Sequence, residues 1–197
     1  ILRINDLVIY ESTVYPGLTE EICVPILEKV SGLVFNKDFY CGYSSERINP
    51  GDKNHKLPMI KKVTSGSTDE IANEVDDLYK EIITAGTHKA PNIKVAEAAK
   101  VIENIQRDVN IGLINEIYLV CKKMKINFNE VMNLASSKWN FLKFDPGLVG
   151  GHCLPVDPYY FSYISKKNKI NTRITLAGRF INDSMAKIIR NQIKKEI

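Results

Sequence analysis

A chain of 197 residues, 44% apolar and 25% charged, is long enough for one substantial core or two small ones. No apolar run approaches the ~20 residues of a membrane span and no basic-then-apolar leader opens the sequence, which predicts a cytoplasmic protein with no membrane contact. The net charge of +4 is spread over lysines such as Lys166-Lys167 and Lys194-Lys195 in periodic segments. That is the pattern of a solvated helix face, not the dense basic stripe nucleic acid requires, although the excess suits a small anionic ligand. Cys23, Cys41, Cys121 and Cys153 show no C-x-x-C spacing, so reduced thiols and no metal site are expected.

The sequence opens on Ile1 rather than methionine, as a cut through a larger protein would. Leu7 to Tyr10 reads as a short buried strand, followed by the turn Glu11 to Gly17 and a helix over about Thr19 to Val30. Phe39 to Ser44 is a second strand, leading into a loop from Ser45 to Asp52. Ile60 to Thr64 alternates as a third strand, and Ser67 or Thr68 caps a helix over Asp69 to Ile83. Gly86 and Pro91 make Ala85 to Asn92 a breaker, and the domain boundary is placed there, at 91/92.

Beyond it runs the longest periodic pattern, Ile93 to about Lys123, with Ala98, Ile102, Ile105, Val109, Leu113, Ile117 and Val120 on one apolar face. About 30 residues span roughly 45 Å, a length that bridges domains or packs on its copy in a dimer. A helix over Asn129 to Ser136, a loop, a helix from Pro155 to about Asn168 and a last helix from Ile174 to Lys195 complete the chain.

The loop Asp145 to Pro158 places Cys153 after Gly150-Gly151 and sets Asp157 four residues on. Glycines leave the backbone open for a substrate carbon to approach a thiol. A helix starting at Pro155 would put Cys153 at the positive end of its dipole, a position suited to a nucleophilic sulfur. The alternative is a small buried cysteine beside an ordinary turn. Lys100 and Asn104 lie one turn apart, and Asp108 and Asn115 continue that side. In a cleft such a pair stabilises an oxyanion; on a surface it is only a solvated polar face. The apolar neighbours of Lys100 predict that it is partly buried. Ser12 and Thr13 stand at the carboxyl end of a strand, where open α/β sheets bind ligands, or they cap the next helix. Glu46 is a ligand or water-orienting base, or a surface partner of Arg47.

Together these pieces resemble the UDP-glucose/GDP-mannose dehydrogenase family. The resemblance rests on Ser12-Thr13-Val14 with Pro16-Gly17, Ser45-Glu46-Arg47, Ala96-Glu97-Ala98-Ala99-Lys100 running to Glu103-Asn104, and Gly150-Gly151-His152-Cys153 with Asp157. The variants Glu46 to Asp52 and Gly147 to Tyr160 are most similar to the branch that oxidises UDP-N-acetylhexosamines, with UDP-glucose oxidation as the alternative.

The resemblance implies an α/β remnant of a Rossmann-type NAD-binding domain over 1–91. An all-α central domain over 92–197 would follow, dimerising through the long helix 93–123. It also implies oxidation of a sugar C6 hydroxyl to a carboxylate for polysaccharide precursors, with Cys153 passing through a thiohemiacetal and a thioester. Lys100 and Asn104 would stabilise oxyanions, Thr13 and Asp157 would hold water, and Glu46 would move a proton. Substrate contacts would come from Arg47, Lys100, Asn104, Phe141, Gly150, Gly151 and Arg179, and cofactor contacts from Ser12, Thr13, Glu46 and Cys153.

Three departures matter. The second glutamate of the UDP-glucose branch is here Pro50. That branch's substrate arginine before the cysteine loop is missing, so Arg179 is expected to replace it, in its own site or reaching into the partner subunit's, with Arg179→Ala raising the substrate KM. No G-x-G-x-x-G occurs, so the chain by itself is expected to be inactive. Rival readings are an interaction module dimerising through the long helix, and a hydrolase pairing Cys153 with His55 or His88. The hydrolase reading leaves Lys100 and Asn104 without a role.

Overall fold

The computed structural model describes residues 2–48 and 54–196. The predicted loop residues from Asn49 to Asp52, Pro50 among them, lie outside the described residues. Two compact units divide the chain at 102/103.

The first unit is built on four strands in the order β1 (Asp6–Tyr10), β2 (Phe39–Tyr43), β3 (Lys62–Gly66) and β4 (Thr87–Lys89). β1 and β2 run parallel with Val8 beside Cys41, β2 and β3 antiparallel with Gly42 beside Gly66, and β3 and β4 parallel with Val63 beside His88. The crossover from β1 to β2 is a π-helical turn, Thr19–Cys23, running into α1 (Val24–Ser31). Gly32, left-handed at φ 73°, ends α1. α2 (Asp69–Lys80) is capped by Thr68, whose hydroxyl accepts from Ile71 N. It lies so close to β3 that a Cβ on Gly66 would meet Ala72 N at 2.3 Å. Phe39, Cys41, Tyr43, Val24, Ala90, Ile93 and Ala96 form the core.

β4 lies inside the segment read as a breaker. Thr87, His88 and Lys89 are half-buried or exposed, so the strand carries no apolar alternation, and only its pairing with β3 makes it one. The third strand starts two residues later than expected because Pro58 opens a 3-10 turn over Leu57–Met59.

One polar contact inside this unit has a measurable consequence. Asp76, buried on α2, accepts from Thr64 Oγ1 at 2.6 Å and pairs with Lys80 at 2.7 Å. Burial pushes its carboxyl up, but the Lys80 and Thr64 hydrogen bonds hold it below its ordinary 3.8. A depressed folded-state pKa contributes stability above the unfolded value and loses it as pH falls through the folded one. Asp76→Ala is expected to lower the unfolding free energy by about 1–3 kcal/mol in urea at neutral pH. Asp76→Asn should lose less stability than the wild type on acidification to about pH 3; equal losses would contradict the pairing.

α3 (Ile93–Met124) begins in the first unit and continues into the second, which adds α4 (Phe128–Ala135), α5 (Asp157–Lys167) and α6 (Arg173–Glu196). α3 and α6 cross closely: a Cβ on Gly112 would meet Gly178 O at 2.9 Å. The buried residues of α3 are Ile93, Ala96, Glu97, Val101, Asn104, Asp108, Gly112, Ile114, Asn115 and Cys121, four of them polar. Of the apolar face read from the sequence, Ile102, Leu113 and Val120 are more than half exposed. Among the described residues no helix is long and apolar enough to cross a membrane.

Candidate active site

In the second unit, residues 141–150 have no regular structure and lead to Cys153, which is exposed and unpaired. Gly151 sits at φ 90°, where a side chain would be strained, and an added Cβ at Gly147, Gly150 or Gly151 would meet nothing within 4 Å. The thiol therefore stands on an open backbone. Its carbonyl accepts from Val156 N at 3.0 Å and Asp157 N at 2.9 Å, a turn immediately before α5. α5 thus starts at Asp157 rather than Pro155, with Pro158 in its first turn, where no intrahelical donor is lost.

Asp157 is 1% exposed, and its Oδ2 accepts from Asn104 Nδ2 at 2.5 Å. The structure therefore joins α3 to the start of α5 through two of the expected catalytic groups. Asn104, Asp108 and Asn115 are all buried, which overturns the solvated-face alternative for these three. Phe141 is half-buried, and Gly150 and Gly151 are exposed.

Arg179, expected to contact a substrate, is 1% exposed on α6. Its Nη1 donates to Asp108 Oδ1 at 2.6 Å and its Nη2 to Asp183 Oδ1. Burial pulls the guanidinium down, but the two carboxylates hold it above its usual value. A guanidinium so engaged would have to leave both partners to reach a ligand.

In the first unit the carboxyl edge of the parallel β1/β2 pair gathers the other candidates. Ser44 N donates to Tyr10 O and Glu46 N to Glu11 O, which lays the Ser12-Thr13 segment beside the Glu46 loop. Ser12 and Glu46 are exposed, while Thr13 and Arg47 are half-buried. Glu46 Oε1 accepts from the backbone of Arg47 and Ile48, both at 2.6 Å, and Arg47 Nη1 donates to Lys61 O at 3.0 Å. Beneath them Glu11 Oε1 accepts from Lys62 Nζ at 2.8 Å and Tyr79 OH at 2.6 Å. Burial raises the Glu11 carboxyl, but these bonds hold it below the usual carboxylate range.

Hydroxyls and a carboxylate gathered at this edge are groups able to bond a polar ligand, and open α/β sheets bind dinucleotides at strand carboxyl ends. The glycine-rich turn that would cradle its diphosphate does not occur in the 197 residues.

Lys100 is half-buried, as its neighbours predicted. One turn earlier Glu97 is fully buried. It takes Gly17 N at 2.5 Å on one oxygen, and Thr19 N at 3.0 Å and Thr19 Oγ1 at 2.6 Å on the other. Burial raises its carboxyl despite these three donors. Glu97 thus fastens α3 to the segment that follows Thr13. The sequence displayed Glu97 within its motif but gave no sign of this contact, which spans 78 to 80 residues.

Residues 1–83 match the NAD binding domain, and residues 94–184 the central domain, of the UDP-glucose/GDP-mannose dehydrogenase family. Over 195 residues the chain is 61% identical to UDP-N-acetyl-D-glucosamine 6-dehydrogenase of Pseudomonas aeruginosa and 57% identical to that of Salmonella typhi. It covers 99% of itself and 46% of each relative, so it spans about half the length of the curated relatives it matches. The structure superimposes on UDP-D-ManNAc dehydrogenase from Pyrococcus horikoshii with a TM-score of 0.88 at 32% identity, covering 99% of this chain and 46% of that one.

Proposed function

This chain belongs to the UDP-glucose/GDP-mannose dehydrogenase family, and on that premise we propose that it serves the NAD-dependent oxidation of a UDP-N-acetylhexosamine at C6 to the uronic acid. The observation that carries the reading is the exposed Cys153 on an open glycine backbone, directly before a helix whose first residue, Asp157, is bound to Asn104. The activity for which the relatives at 61% and 57% identity are named supports the acetylated sugar over UDP-glucose.

The bound cofactor would supply hydride acceptance, two hydrides in all leaving the C6 carbon. The chain's own residues do the rest. Loss of one hydride and the hydroxyl proton from the C6 alcohol leaves an aldehyde. The Cys153 sulfur adds to its carbonyl carbon, and the thiol proton passes to the carbonyl oxygen to give a hemithioacetal. Loss of a second hydride from that carbon, with the hydroxyl proton, leaves a thioester, and water then cleaves it to the carboxylate, the free thiol and a proton. Asn104, with one amide N–H on Asp157, has a second to offer the developing oxyanion, and the Lys100 ammonium adds charge. Asp157 and Thr13 hold the water, and Glu46 takes its proton. Ser12, Thr13 and Glu46 are the cofactor's neighbours at the strand edge, and Arg47, Phe141, Gly150 and Gly151 those of the sugar nucleotide.

The exposed Ile102, Leu113 and Val120 on α3 support pairing with a second copy along that helix. The product suits polysaccharide precursor synthesis in the cytoplasm.

The test is turnover with UDP-linked N-acetylglucosamine, N-acetylgalactosamine, N-acetylmannosamine and glucose. A protein extending this chain to its relatives' length should reduce NAD with at least one acetylated sugar faster than with UDP-glucose. The 197 residues alone should reduce none. Faster reduction with UDP-glucose would reverse the substrate assignment, and turnover by the chain alone would refute its inactivity.

A further inference from the structure

Ahead of Cys153, the hydrogen bonds described between its loop and the helices of the unit run through one side chain. Between Phe141 and Cys153, the hydrogen bonds described to other segments are a pair on Gly147: its N–H donates to Asn115 Oδ1 at 2.8 Å, and its carbonyl accepts from Asn115 Nδ2 at 3.0 Å. Asn115 is fully buried on α3, and Nδ2 also donates to Asn182 Oδ1 on α6 at 2.9 Å. Asn182 Nδ2 in turn donates to the Asp108 backbone carbonyl at 2.9 Å and to Asp108 Oδ1 at 2.8 Å. The same Oδ1 accepts from Arg179 Nη1.

Donor and acceptor chemistry gives this series a direction. A guanidinium only donates, so Asp108 Oδ1 is an acceptor, as is a backbone carbonyl. Asn182 must therefore turn its NH2 toward Asp108, which leaves its oxygen toward Asn115. Asn115 must answer with NH2, and its own oxygen is then the group that meets Gly147 N–H. An amide free to flip would be bistable; here each flip would set like groups against each other in a buried site, where a lost hydrogen bond is expensive.

We infer that Arg179, Asp108, Asn182 and Asn115 are positioning residues that fix the orientation of one amide and, through it, the place of the Cys153 loop. The catalytic meaning of this rests on Cys153 being the nucleophile proposed above; the clamp on Gly147 does not. Arg179 thereby acts on the reaction through the loop.

Asn115→Leu keeps the volume close to that of Asn115 and removes both bonds to Gly147. In the 197-residue chain, amide exchange at Gly147 should quicken by about tenfold or more, while amides inside α3 and α6 stay within roughly twofold. Alkylation of Cys153 by iodoacetamide, read by mass spectrometry of its peptide, should change by about threefold or more, with Cys121 as the buried control. In a protein of the relatives' length, kcat should fall by roughly tenfold while the KM for NAD stays within about twofold.

Unchanged exchange at Gly147 in a folded Asn115→Leu protein would overturn the proposal. If that variant does not fold, Asn182→Ser carries the test. It leaves Asn115 in place without the partner that orients it, and Gly147 exchange must again quicken. Cys153→Ser separates the two readings, because it should leave Gly147 protection intact. Retained turnover in that variant would refute the nucleophile and spare the clamp.

Discussion

Cys153→Ser, placed in a protein that extends this chain to the length of its relatives, is expected to lower steady-state formation of the uronic acid by on the order of a thousandfold or more. The hydroxyl of serine is a poor nucleophile without an adjacent base. The structure provides Cys153 with an open approach and a helix start, and among the described residues no histidine is bonded to it. Oxidation of the alcohol to the aldehyde does not need the sulfur, so the variant should still release up to one hydride per sugar before it stalls. Folding should be unaffected, since the side chain is exposed. Thermal unfolding should therefore match wild type while turnover collapses. Full activity in Cys153→Ser would remove the covalent route altogether.

Asp108→Ala is expected to cost about 3–5 kcal/mol of stability, a large share of what a domain possesses. The loss exceeds that of one hydrogen bond because Arg179 stays behind, 1% exposed and left with Asp183 alone. Asp108 Oδ2 and Arg179 Nε already lack a partner, so the site has little slack to rearrange. The double variant Asp108→Leu with Arg179→Met should recover most of the loss, since a buried pair replaced by apolar groups of similar volume is often neutral. Urea unfolding of the chain measures both. A loss below about 1 kcal/mol for Asp108→Ala would mean that the ion pair is not buried as described. Arg179→Ala, by breaking the same buried pair, is expected to lower stability as well as any substrate affinity.

These outcomes bear on what could be read before the fold was known. The long helix was legible to within a residue, Ile93–Met124 against an expected end near Lys123, because a periodic pattern of that length leaves little choice. Its inward face was not. Periodicity marks where apolar residues recur, but here the apolar face is half exposed, and Glu97, Asn104, Asp108 and Asn115 face inward because each finds a partner elsewhere in the chain. Such partners are 32 to 80 residues away and leave no local signal. The same holds for β4, made a strand by β3 rather than by its own residues. The cysteine loop was legible because glycines, a cysteine and prolines announce their conformational needs locally. The side chain that holds the loop was visible only as one more polar residue on a helix. Arg179 stood out as a replacement for the family's missing substrate arginine, and its burial beside Asp108 had no local sign.

The central claim is a four-electron oxidation that passes through the Cys153 sulfur. It is tested most directly by counting NADH formed per UDP-N-acetylhexosamine consumed in a protein of the relatives' length. Two per sugar, falling to no more than one in Cys153→Ser, is the predicted result. One per sugar in the unaltered protein, with an aldehyde as the product, would contradict the account.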